Sequence, residues 1–280
     1  MKVSDLGICK KLPSTLKGII VFLLTFAFCL LPFVFPSFAG TMSEIQQRGS
    51  LIIAVKDNLR PLGFKDANGN LQGLEIDLAK RLTSDVLGKT GTVKFLPVAN
   101  RDRLSAVLER RVDLAIARVT ATESRARLVS FSVPYYLDST VFVTKDTSVQ
   151  QPQDLANRKI AVLNNSSTIA KVRYFLPKAE LVGVNSYTEA RERTEDNTIA
   201  AFAADASILA GWVQQFPQYR LLPTKLSTEP LTVVMPKGVQ YDELRRQVNT
   251  AIARYIGEGW LQERVKYWGL LGDNSRQKTM

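Results

Sequence analysis

The sequence predicts an α/β protein built as two lobes. Between residues 51 and 117, short apolar runs of strand length alternate with charged stretches whose apolar residues recur at helical spacing. The same alternation restarts after Tyr136, while the last third reads as helix. An α/β unit, a second α/β unit and a helical return give two sheets with a cleft between them, and ligands of such sheets sit at the strand ends facing the cleft.

In chain order, Leu51-Ile52-Ile53-Ala54-Val55 is the first strand, closed by the breaker-rich Lys56-Asp57-Asn58-Leu59-Arg60-Pro61. Asp66-Ala67-Asn68-Gly69-Asn70 is a turn. Over residues 75–86, Ile76, Leu78, Ala79, Leu82 and Val86 make one apolar face of a helix. Residues 93–98 form a second strand, and Asn100 can cap a helix whose Leu104, Val107 and Leu108 face inward. Leu114-Ala115-Ile116-Ala117 returns as a third strand, so this unit reads as a parallel sheet. The second unit runs through Val141-Phe142-Val143, a turn near Leu155, the strand of residues 159–163, a helix over 168–176, the strand of 199–203 and a helix over 206–215. Leu231-Thr232-Val233-Val234-Met235 is a further strand, and residues 241–255 and 261–268 are helices.

The beginning of the chain reads as an export signal. Lys2, Lys10, Lys11 and Lys17 precede an apolar run from Ile19 to Phe35, and Ser37-Phe38-Ala39 places small residues around a cleavage point after Ala39. An uncleaved membrane anchor is the alternative. Cys29 follows the bulky Phe28, which does not suit lipid attachment.

Both cysteines, Cys9 and Cys29, fall in this leader, and the chain has no histidine. The segment after Ala39 therefore lacks disulfides, Cys and His metal ligands, and the parts for Ser-His-Asp or Cys-His catalysis. Gly88-Lys89-Thr90 imitates the end of a phosphate loop, but Thr83 stands where its first glycine must be. The formal charge is +11, with the basic residues spread along the chain, which fits a solvated surface and an anionic small ligand better than nucleic acid. No cofactor is expected.

The most informative stretch is Thr120-Ala121-Thr122-Glu123-Ser124-Arg125. A guanidinium offers a rigid fork to a carboxylate, and a threonine hydroxyl nearby can add another donor. An exposed arginine on a turn is the plain alternative.

These residues carry a resemblance. Gly49-Ser50-Leu51-Ile52-Ile53-Ala54-Val55, Gly73-Leu74-Glu75-Ile76-Asp77-Leu78-Ala79, Val112-Asp113-Leu114-Ala115, the Thr120 to Arg125 stretch, Phe131-Ser132-Val133-Pro134-Tyr135-Tyr136, Pro236-Lys237-Gly238 and Lys266-Tyr267-Trp268-Gly269 occur in an order that resembles the type II periplasmic binding proteins for polar amino acids. These are solute-binding proteins of family 3, the soluble receptors of ABC importers, and the resemblance covers about residues 48 to 272. It implies a mixed sheet in each lobe and a two-stranded hinge crossing near 137–140 and 228–231. Lobe 1 would comprise residues 40–138 and 231–280, and lobe 2 residues 139–230. It also implies a monomer in the periplasm that closes on a free amino acid and docks on an ABC permease, with no reaction catalysed.

The resemblance implies that Arg125, helped by Thr120, grips the ligand's α-carboxylate, and that Asp205 takes the α-ammonium; for Asp205, a helix cap before Ala206 is the alternative. Lys56, the Asn100-Arg101 pair and Glu229-Pro230 resemble binders of glutamate and aspartate, with glutamine and asparagine as wider possibilities. Lys56 also reads as a solvated turn lysine and Arg101 as an ordinary first-turn helix residue. Arg118 departs from the family pattern, where a small residue is usual, and its side chain either enters the pocket or turns away. Asn164-Asn165-Ser166-Ser167-Thr168 keeps donors at a helix start, Ser167 and Thr168 among them, but loses the family's glycines. Two rivals share the fold: a cyclohexadienyl-dehydratase-like enzyme, for which Glu229, Asp57 or Glu123 would be the acid, and a ligand-sensing ectodomain.

Overall fold

The computed structural model describes residues 40–272; the expected signal segment and its cleavage point lie outside the described residues. In chain order the elements are α1 (Met42–Arg48), β1 (Ser50–Val55), β2 (Asn58–Leu59), β3 (Gly63–Lys65), β4 (Leu71–Gln72), α2 (Leu74–Leu87), β5 (Thr92–Pro97), α3 (Ser105–Leu108), β6 (Leu114–Ile116), α4 (Glu123–Ala126), β7 (Ser130–Phe131), β8 (Tyr136–Asp138) and β9 (Thr140–Thr144). They continue with β10 (Lys159–Leu163), α5 (Thr168–Phe175), β11 (Glu180–Val184), α6 (Tyr187–Glu195), β12 (Ala201–Asp205), α7 (Ala206–Gln215), β13 (Arg220–Leu221), β14 (Glu229–Leu231), β15 (Val234–Met235), α8 (Asp242–Gly257) and α9 (Trp260–Tyr267).

Two five-stranded mixed sheets organise the two lobes. The first has the order β5-β1-β6-β15-β7 and the second β11-β10-β12-β9-β13. In the first, β1 runs parallel to β5 and β6, and β15 closes the set antiparallel to β6. The second repeats the plan, with β10 parallel to β11 and β12, and β9 antiparallel to β12. Strand residues alternate between cores on the two faces, as pleating requires. Leu51, Ile53 and Val55 pack with the apolar stripes of α2, α8 and α9, while Ala54 faces a second core with Val107 and Val119. On β9, Val141 and Val143 join one core and Phe142 the other.

The single strand expected over residues 231–235 is two. β14 pairs with β8, the two-stranded crossing between the sheets, and β15 pairs with β6 and β7. The break lies where the chain changes sheets: Thr232 donates to Val119 O instead of continuing a ladder. Asn100 does not cap a helix. It opens a 3-10 turn over Asn100–Asp102, and α3 follows as a single turn that buries Val107 and leaves Leu108 exposed. The strand expected at 199–203 is shifted to end on Asp205, which lies opposite Thr140 on β9.

Two close approaches set the geometry around the site. Gly73 has φ +126, and a Cβ there would lie 2.2 Å from Leu62 O, so only glycine lets the start of α2 dock on the preceding loop. Leu74 N–H and Glu75 N–H then donate to Pro61 O and Leu62 O, which satisfies two of the helix's free amides. At Gly211 on α7, a Cβ would lie 2.3 Å from Arg60 O, so that helix touches the same loop through bare backbone.

The docked helix delivers Glu75 into the interior, fully buried. Its Oε1 accepts from Arg118 N–H at 2.6 Å and from Tyr135 Oη–H at 2.5 Å, while Oε2 has no partner. Burial holds the Glu75 carboxyl above its ordinary value, against the lowering effect of these bonds. The Tyr135 hydroxyl is pushed up as well, by burial and by Glu75.

Replacing Gly73 by Ala is expected to lower unfolding stability by about 2 kcal/mol or more, through φ strain and contact with Leu62 O. A urea midpoint equal to the parent's would refute this. The raised carboxyl of Glu75 gives a second expectation. Folding takes up a proton there, so its contribution to stability falls as pH rises from the ordinary carboxyl value of 4.5 through the folded value. Glu75→Gln keeps an oxygen acceptor and removes the titration. Its stability relative to the parent should therefore improve between about pH 4 and about pH 7; urea unfolding that gives the same difference at both would count against it.

Candidate ligand-binding site

The C-terminal ends of parallel strands from both sheets meet at one ion pair. Two residues beyond β6 the chain turns at Arg118, a non-glycine with φ +51. Left-handed backbone is unfavourable for a side chain of this size and persists where surroundings hold it. Here the N–H is held by Glu75 and the carbonyl by Arg103 Nη1, which also donates to Ala117 O at 3.1 Å.

Fixed in this way, the Arg118 side chain crosses from the first sheet to the second. Its Nη2 pairs with Asp205 Oδ2 at the end of β12, and its Nε lies 3.3 Å from Ser207 Oγ and 3.7 Å from Asp138 Oδ2. Arg118 and Asp205 retain 17% and 22% side-chain exposure, so both lie at the rim of solvent. Of the two readings of Arg118, the side chain therefore turns in. Asp205 stands at the N-cap of α7 but makes no capping bond. Capping comes from the crossing instead: Asp138 Oδ1 accepts Ser207 N–H at 3.0 Å, and Ser139 O accepts Ala206 N–H at 2.7 Å.

Arg125 sits on α4, whose N-cap Thr122 accepts Arg125 N–H. The half-buried guanidinium donates through Nη1 to Thr120 O at 2.8 Å, and Thr120 is itself bridged to Leu231. The two residues thus meet through the Thr120 carbonyl rather than its hydroxyl. Every hydrogen bond made by the Arg103 and Arg125 guanidiniums among the described residues goes to a backbone carbonyl. Arg103 titrates below its ordinary value because of burial first, then the nearby charges of Arg118 and Arg125. Arg118 and Arg125 are therefore both within electrostatic reach of Arg103.

The remaining expected residues fall as follows. Lys56 is 5% exposed and donates through Nζ to Val98 O at 2.8 Å. It is no solvated turn lysine, and burial, with Arg103 next, lowers its pKa. The Arg101 side chain is 89% exposed and reaches Asp102, while Arg103 on the same segment turns inward. Arg103 lies one 3-10 turn beyond Asn100, whose carbonyl takes its Nε. Ser167 is exposed at the start of α5 without a side-chain cap bond, and Thr168 is buried in the first turn. One turn on, Lys171 reaches Glu229 and Thr140 at the crossing.

Arg103, Glu75, Asp138 and Tyr187 were not singled out for the site in sequence. Glu75 carried a signal, since it shares the buried stripe of Leu78, Ala79, Leu82 and Val86 at helical spacing. Tyr187 on α6 packs edge-on against Phe202 of β12, and its hydroxyl is raised by desolvation against the opposing charge of Arg118. A cavity of about 790 Å³ lies elsewhere among the described residues, between Val133, Pro134, Tyr135, Tyr136 and Leu137 and the apolar side of α9. It has Lys266 as its sole charged lining residue, so the convergent polar groups are at the arginine cluster.

Comparison with known proteins agrees with this architecture. A glutamine-binding protein of Geobacillus stearothermophilus is 30% identical over 194 residues, covering 68% of this chain and 74% of that protein. The ABC transporter glutamine-binding protein GlnH of Bacillus subtilis is 25% identical over 231 residues, covering 81% and 84% respectively. Among solved structures, an ancestral cationic amino acid solute-binding protein superposes with a TM-score of 0.69 at 25% identity, over 82% of this chain and 100% of that one. The family profile of the bacterial extracellular solute-binding proteins, family 3, matches residues 51–271, and the chain belongs to that family.

Proposed function

We propose that this protein is the periplasmic receptor of an ABC importer for polar, acidic amino acids, glutamate and aspartate first, and that it delivers them to an inner-membrane permease. The observation that carries the reading is the pair Arg103 and Arg125. Both guanidiniums sit at the strand ends where the sheets meet, and their bonds go to backbone carbonyls, leaving charge to meet a ligand carboxylate. A ligand with one carboxylate would neutralise only part of this surplus, whereas a second carboxylate uses the rest.

In this reading Arg125 grips the α-carboxylate with Thr120 beside it. Arg103, with the exposed Arg101 of the same segment, supplies the second cationic contact, and Arg118 and Asp205 form the charged wall between the lobes. Lys56 adds its field from behind, and Ser167 and Thr168 offer donors from the start of α5. Lobe 1 comprises residues 40–138 and 231–280 and lobe 2 residues 139–230, joined through β8 and β14. Ligand contacts from both lobes favour the closed form by their differential affinity, which a permease can recognise.

The acids that an enzyme on this fold would need are engaged or remote. Glu229 is paired with Lys171, Asp57 pairs with Lys65, and Glu123 is exposed at the start of α4. No helix among the described residues is long and apolar enough to cross a membrane. The engagement of Glu229 and Asp57 favours a receptor over the enzyme. Arg125→Ala should weaken glutamate and aspartate binding at least about tenfold, since a charge-assisted bidentate contact is worth more than about 1.4 kcal/mol. Isothermal calorimetry giving an unchanged affinity for both would remove the central claim.

A further inference from the structure

In most zwitterion sites the ligand's ammonium finds a carboxylate waiting for it. Here each carboxylate that touches the arginine cluster is already engaged by the protein's own donors, and Glu75 Oε2, which has no partner, is buried. Asp205 holds the Arg118 guanidinium, Asp138 is engaged by Ser207 and by Ser139 N–H, and Glu75 receives Tyr135 and Arg118 N–H. Arg118 is not a side chain that swings freely into this role. Its backbone is pinned at φ +51 by Glu75 on one side and Arg103 on the other, so the guanidinium is delivered to Asp205 by the fold.

We infer that Arg118 is the specificity-determining residue of the site: it serves as the built-in counter-ion of Asp205, so the protein recognises dicarboxylates by their two anionic ends and accepts those without an α-ammonium as well as it accepts glutamate. The inference rests on the proposed role of Arg125 as the grip on a ligand carboxylate in this cleft. An ammonium approaching Asp205 must displace a tethered guanidinium present at high effective concentration, and it gains little by doing so. A dianion meets Arg103 and Arg125, whose charges have no carboxylate to lose.

Calorimetry on protein purified after expression of the full chain, with L-glutamate and glutarate as probes, tests this. Glutarate differs from glutamate by the absent ammonium alone. The parent should bind the two within about tenfold of each other. Arg118→Gly suits the left-handed backbone and frees Asp205, so it should favour glutamate over glutarate by at least about a hundredfold. Arg118→Asn, whose side chain also tolerates the left-handed backbone, frees Asp205 in the same way and stands as the second variant should Arg118→Gly not fold. A parent that binds glutamate normally and glutarate more than about a hundredfold more weakly overturns the inference while the receptor reading stands. So does a glutamate-to-glutarate ratio that the folded Arg118→Gly or Arg118→Asn variant leaves within about tenfold of the parent's. Failure of both ligands to bind, or binding of both untouched by Arg125→Ala, overturns the receptor reading and the inference together.

Discussion

A single buried carboxylate, Glu75, joins three segments that are far apart in sequence. From the start of α2 it accepts the amide of Arg118 beyond β6 and the hydroxyl of Tyr135 ahead of β8. Without that acceptor the Arg118 amide would lack its partner and an unfavourable backbone conformation would lose its support. Everything the candidate site does with Arg118 depends on this joint. A carboxylate in such surroundings is costly to ionise, so the fold spends stability here to hold a geometry.

The charges around the joint are arranged as an excess of cations over acids. Arg118 and Asp205 bridge the two sheets, while Arg103 and Arg125 are anchored on carbonyls and keep their charge. The crossing strands carry a second bridge, Lys171 to Glu229, with Ser227 and Thr140 gathered around it. Two ion pairs thus connect β12 and α5 of the second sheet's surroundings with the strand ends and the crossing. Both pairs are part-buried, so salt screens them less than it would a surface pair.

Much of this was legible in sequence because it is local. The strand of residues 159–163 and the helix of 206–215 occur as read, since a run of β-branched and small apolar residues and an apolar helical stripe declare themselves within a window of ten residues. The fold class and the family motifs followed from the order of such pieces. What failed to show was whatever depends on partners distant in the chain. β7, β8 and β13 are two or three residues long and exist only through pairing. Arg101 and Arg103 are equally basic and two positions apart, and only the tight turn at Asn100–Asp102 decides that the second faces inward. Asp205 reads as a helix cap because it precedes one, but Asp138 from the crossing fills that role.

The contact of Gly211 with the carbonyl of Arg60 leaves no side chain between a helix of one half and a loop of the other. Where side chains intervene, a distance can be retuned by exchanging one rotamer or one methylene for another; here, as at Gly73, it is set by atomic radii alone. The loop around Arg60 and helix α7 therefore cannot drift independently over evolutionary time. A methyl group gained at position 211 must be inherited together with a retreat of the loop, and a loop that advances is viable only in lineages that keep the glycine.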